Sequence, residues 1–251
     1  MKRKSTCWVQ IGALFMFLTM AAPPNLLGAE TEDKVGKRLA EFLGIPEDHP
    51  DSAHFTFKAW PSYSGRYITV NYPDPDSLKS DTLPIHIDVI DVRNGKFVRV
   101  ASGTYPFVID FTSLPQISLD TARYEFKAGL IAFGLNLYGS TSRAGGGVAS
   151  TDRILMVVDG AALKDVAGPF TVASEYGEPA DGCEDCLART VTQSVISISD
   201  QITNGYHDIL YRHTSRSWID GKGKPDAKSA PESVTNQVYR WDGNRYRKAG
   251  P

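Results

Sequence analysis

Asn94-Gly95, Asp159-Gly160 and Asp242-Gly243 each sit between arms that alternate apolar and polar residues. That is the strongest short-range sign of a tight β-hairpin, because both central positions of such a turn favour positive φ. Similar alternating or β-branched stretches occupy residues 54–60, 66–72, 85–92, 96–100, 123–126, 130–138, 153–158, 190–199, 207–211 and 237–241. Pro, Gly, Asn and Asp clusters such as 72–76 and 144–147 separate them. The pattern predicts a mainly β fold, an antiparallel meander of about ten short strands. A sandwich, an open barrel and a partial propeller all satisfy it. The three turn dipeptides stand 65 and 83 residues apart, which is too uneven for a regular repeat.

One helix is expected ahead of the strands. Val35, Leu39, Phe42 and Leu43 recur at helical spacing within residues 31–44, and Gly44 with Pro46 supplies a stop. No second long helical pattern is present to cover a parallel sheet, which favours antiparallel pairing.

Residues 1–29 read as a signal peptide. Lys2, Arg3 and Lys4 precede the mostly apolar run 8–22, which ends at Pro23 and Pro24, too short for a spanning helix. Leu27-Gly28-Ala29 offers a small residue at the cut, so Cys7 is expected to leave with the leader. Losing three cations changes the balance from 27 basic against 29 acidic residues to 24 against 29, a net charge of −5. A mildly acidic chain is a poor match for a phosphate backbone, so nucleic acid is not expected as a partner. Residues 30–251 are expected to form a mature β-rich region, one domain, with a subdivision near 170–188 as the alternative. No later stretch is long and apolar enough to span a membrane as a helix. The expected destination is the periplasm or the outside of the cell.

The stretch Asn204-Gly-Tyr-His-Asp-Ile-Leu210 and the later Val238-Tyr-Arg-Trp-Asp-Gly-Asn-Arg-Tyr246 resemble the closing segment of uncharacterised exported proteobacterial β-rich proteins. More distantly they resemble FG-GAP-like β repeats. The segments Ala144-Gly-Gly-Gly147 and Ile154-Leu-Met-Val157 are similar to the same exported proteins. The resemblance implies a secreted β protein and transfers no catalytic residue.

Four places could carry chemistry. Cys183 and Cys186 are two residues apart, and in an oxidising compartment such a pair usually forms a disulfide. Asp181, Glu184 and Asp185 disfavour a reactive thiolate, and a zinc site would need further ligands, with His207 and His213 the candidates. Asp200, Asn204, Gly205 and Asp208 partly match a calcium loop, although Ile202 occupies a position that should hold an oxygen ligand. The alternative there is an ordinary Asn-Gly turn. Gly145, Gly146 and Gly147 follow Ser140, Thr141, Ser142 and Arg143, but no helix start follows to cradle a phosphate, so a mobile recognition loop is expected.

The fourth is the carboxy-terminal hairpin. A two-residue Asp242-Gly243 turn would set Trp241 against Asn244, Arg240 against Arg245, and Tyr239 against Tyr246. One face would be aromatic, and the other would carry paired arginines in need of an acidic answer, internal or from a partner. Tyr239, Arg240, Trp241, Arg245 and Tyr246 are therefore binding candidates.

Nucleophile signatures such as Gly-x-Ser-x-Gly, Ser-x-x-Lys and His-Glu-x-x-His do not occur. The sequence thus points to an exported, non-enzymatic binding protein of the bacterial envelope, inhibitor- or immunity-like, needing no cofactor. Its partner would be a protein or a glycan of the envelope. The alternative is an envelope hydrolase, with Asp74, Asp76 or Asp81 as carboxylates and Trp60 and Tyr63 lining a glycan groove. A structural envelope component is the third class.

Overall fold

The computed structural model describes residues 31–45, 53–78, 81–108, 115–143, 146–180, 186–221 and 229–250. The leader, Gly145 and Cys183 lie outside the described residues. Helix α1 (Glu32–Leu43) is followed by β1 (Ala53–Ala59), β2 (Arg66–Pro73), β3 (Thr82–Arg93) and β4 (Lys96–Val108). Then come β5 (Gln116–Lys127), β6 (Leu130–Arg143), β7 (Gly146–Asp159) and β8 (Ala162–Pro179). The chain closes with β9 (Leu187–Thr203), β10 (Tyr206–Asp220), β11 (Glu232–Trp241) and β12 (Tyr246–Lys248).

The helix forms where its amphipathic pattern predicts. Glu32 and Asp33 favour its first turn, and Gly44 ends it at φ 71° in the left-handed region. Val35 and Leu39 are buried against Tyr67 and Ile90 of the sheet, with Leu43, Phe55, Phe57 and Phe97 around them. Phe42 is instead 41% exposed, resting on Phe97.

All strands belong to one open sheet. Each strand pairs antiparallel with the next in sequence except at the step from β4 to β5. There β4 instead touches β8 through one parallel bridge, Ser102 to Ala162. The mainly β reading holds, with mixed rather than purely antiparallel topology. β8 is the junction: β7 follows it along most of its length, while β9 pairs only with its later part, Ala173 to Pro179.

The central strands are covered on both faces. Ile131, Phe133, Leu135 and Leu137 of β6, with Ile154 and Met156 of β7, pack with β2 and β3 residues such as Ile68, Ile85 and Ile87. Ala132, Leu155 and Val157, on the alternate positions, join Phe170, Ile209, Tyr211, Trp241 and Tyr246. This is why β6 and β7 read as near-continuous apolar runs.

Beyond these cores, among the described residues, β6 to β11 continue as a single layer. Residues 138–142, 147–151, 173–179, 187–195, 213–220 and 232–236 contribute to none of the hydrophobic clusters. The strands are accordingly longer than the sequence suggested; β8 runs for 18 residues and β9 for 17.

Candidate functional site

The carboxy-terminal hairpin does not take the expected register. Trp241 pairs with Tyr246, Arg240 with Arg247 and Tyr239 with Lys248. The cause is local: Asp242 Oδ1 accepts from the backbone N–H groups of Asn244 and Arg245, both at 2.8 Å, which holds a four-residue loop in place of a two-residue turn. Arg245 consequently leaves the ladder. Its Nη2 donates to the Gly168 carbonyl at 2.9 Å and lies 3.7 Å from Asp165. The aromatic side is interior rather than a free face: Trp241 and Tyr246 are buried, Tyr246 donates to the His207 carbonyl, and Tyr239 meets Phe170 edge-on. Burial pushes the Tyr246 phenol well above its ordinary value, with the Asp208 charge adding to the effect.

Asn204 and Asp208, two of the calcium candidates, are engaged elsewhere. Asn204 and Gly205 take φ values of 54° and 82°, a tight turn joining Thr203 to Tyr206. The Asn204 amide donates to the Trp241 carbonyl at 2.7 Å. Asp208 is buried beside Arg240, and Asp200 is exposed on β9. Among the described residues no three His, Cys, Asp or Glu side chains gather as a metal site.

The glycines are strand residues where they are described. Gly146 and Gly147 open β7 and pair into β6. A Cβ on Gly146 would collide with the Gly177 carbonyl, and one on Gly147 would lie 2.7 Å from the Thr141 carbonyl. Their expected role as a mobile loop is therefore corrected at these two positions: close backbone approach explains the glycines. Cys186 is buried at the tip of the single-layer region, where the Ala180 N–H donates to its carbonyl at 2.9 Å and Gly221 packs on its sulfur.

That single layer carries the candidate site. Directly opposed residues share a face, so the ladder sets out rows across it. One row runs Ser140, Ala149, Glu175, Val191, Arg216 and Glu232. Two residues along each strand, on the same face, come Ser142, Gly147, Gly177, Arg189 and Trp218. On the other flank lie Tyr138, Thr151, Ala173, Gln193, Thr214 and Val234. Glycine and alanine leave the middle of this face low. A trough of about 310 Å³ forms over Ser140, Ser142, Gly147, Ala149, Glu175, Gly177 and Arg189. It adjoins a second depression of about 270 Å³ bounded by Tyr138, Thr151, Ala173 and Gln193.

The electrostatics of the trough centre on Arg189. Its Nη1 donates to Glu175 Oε1 at 2.6 Å, and its Nε stands 3.0 Å from Asp220 Oδ2 in an ion pair without hydrogen-bond alignment. The cation is thus fixed between two carboxylates. Serine and threonine hydroxyls and glycine backbone line the trough with it, and Tyr138 bounds the adjoining depression, a surface suited to hydrogen bonding a polar chain. Ser140, Ser142 and the glycines were legible in the sequence. Glu175, Arg189, Gly177 and Tyr138 were missed, because only the strand register brings them together.

The aromatics expected of a hydrolase groove are not available as a pair. Trp60 is 1% exposed in the core, edge-on to Phe133 and Tyr63. Asp74 caps its own turn by accepting from the Asp76 N–H at 2.9 Å. No helix among the described residues is long and apolar enough to cross a membrane. No protein-family model, no curated protein and no solved structure matches the chain.

Proposed function

We propose that this chain is an exported, non-enzymatic binding protein of the bacterial envelope, and that the trough receives a glycan strand. The observation that carries this reading is the floor of Gly147, Ala149 and Gly177, edged by Ser140, Ser142 and the fixed Arg189. A low floor lets a ligand approach the backbone, and polar walls supply donors and acceptors for sugar hydroxyls. Among the described residues the region has no hydrophobic cluster of its own, so the ladder and ion pairs dictate its conformation more than packing does. Such a pre-formed, shallow surface suits a long ligand that makes many modest contacts. Export rests on the leader-like segment 1–29. A Cys183–Cys186 disulfide would close the tip, a pairing supported by the spacing and by the burial of Cys186. An envelope hydrolase is favoured less, because Trp60 belongs to the core.

Hydrogen–deuterium exchange of the purified protein with soluble peptidoglycan glycan fragments tests the location. Slower exchange in residues 140–149 and 175–189 is expected; protection elsewhere alone, or none, would overturn the assignment.

A further inference from the structure

We propose that the outer half of β11 is a self-association edge, where two copies of the chain join by antiparallel strand addition. An edge strand presents unpaired N–H and C=O groups that invite another strand, and natural sheets blunt such edges with lysine, proline, bulges or covering elements. Other margins of the sheet are engaged in part among the described residues. β5 runs against β1, β9 and β10; β4 meets β8; and β12 pairs with Tyr239, Arg240 and Trp241. The Val238 carbonyl is taken by the Ala249 N–H at 2.7 Å. Upstream of that point, residues 232–237 pair only with β10 among the described residues.

Pro231 precedes the strand, but within it, among the described residues, no proline, bulge or covering element blunts the edge. Residues 232–236 are all exposed, and 233–237 reads Ser-Val-Thr-Asn-Gln, free of charge and of proline. The β10–β11 register runs without a bulge, so the edge is regular. Glu232 is the lone charge, and Arg216 holds it through two hydrogen bonds of 2.7 and 3.2 Å.

A second copy is the occupant this edge fits. In a two-fold antiparallel pair centred near Thr235, Glu232 of one copy meets neutral residues of the other, so no like charges face each other. Five residues span only about 17 Å of strand, well short of a standard interface, so the association is weak and concentration-dependent.

Analytical ultracentrifugation of the purified protein is the test. A reversible monomer–dimer equilibrium is expected. Thr235→Lys and Thr235→Glu should each weaken it at least tenfold, since like charges then meet across the two-fold axis. An equimolar mixture of the two variants should restore dimerisation to the wild-type level, which a misfolded variant could not do. A monomer at every concentration would overturn the proposal. So would variants that dimerise unchanged, or a mixture that does not recover.

Discussion

Arg240 lies directly opposite Arg247 across the β11–β12 ladder, and each guanidinium reaches a carboxylate of its own. Arg240 Nε is 3.5 Å from Asp208, whose side chain is 2% exposed; Arg247 Nε is 3.2 Å from Asp242, which is 39% exposed. The two arginines look equivalent in sequence and differ in what they answer.

Removing Arg240 strands a buried carboxylate, whereas removing Arg247 leaves a solvated one. Arg240→Ala should destabilise by about 2 kcal/mol, tempered by the exposure of the arginine itself. Arg247→Ala should cost about 0.5 kcal/mol or less. Urea unfolding of both variants checks this, and Asp208→Asn in the Arg240→Ala background should recover part of the loss.

A second prediction concerns acid. Burial alone would raise the Asp91 carboxyl, but the hydrogen bonds and charge of Arg66, helped by Arg93, outweigh it and hold the group below its ordinary value. Arg66 Nε and Nη2 donate to the two Asp91 oxygens at 2.6 and 3.2 Å. A depressed carboxyl contributes stability above its unfolded pKa of about 4 and loses it as pH falls through the lower folded value. Asp91→Asn should therefore lower stability near neutrality by about 2 kcal/mol and flatten the acid limb of a stability–pH curve. An unchanged acid limb would place the dependence on other groups.

The glycines of the trough should separate into two kinds. Gly146→Ala drives a methyl into the Gly177 carbonyl and should destabilise by about 2 kcal/mol. Gly177 has open space where its Cβ would stand, so Gly177→Ala should alter stability by about 0.5 kcal/mol at most. Thermal melts of the two variants measure the contrast.

The sequence revealed the hairpins where turn chemistry acts alone. Asn94 and Gly95 adopt φ values of 51° and 74° between paired Arg93 and Lys96, as the dipeptide predicts. It misled at Asp242-Gly243, because the Asp242 carboxylate caps two following amides, a choice that spacing does not reveal. The double-sided burial of β6 and β7 could be read from their apolar runs. The single-layer extension could not, since Ser, Thr, Gly and Ala on both faces leave no alternation to detect. For the same reason Glu175 and Arg189, 14 residues apart, give no sign in sequence that the β8–β9 register makes them partners.

The most direct measurement is co-sedimentation of the purified protein with insoluble peptidoglycan, wild type beside Gly177→Val. The valine projects from the trough floor into open space, so folding should survive while the ligand is excluded. Saturable binding by the wild type, weakened at least tenfold in a variant with an unaltered melt, is the expected result. Equal sedimentation of both proteins, or of neither, would contradict the trough as a glycan-binding site.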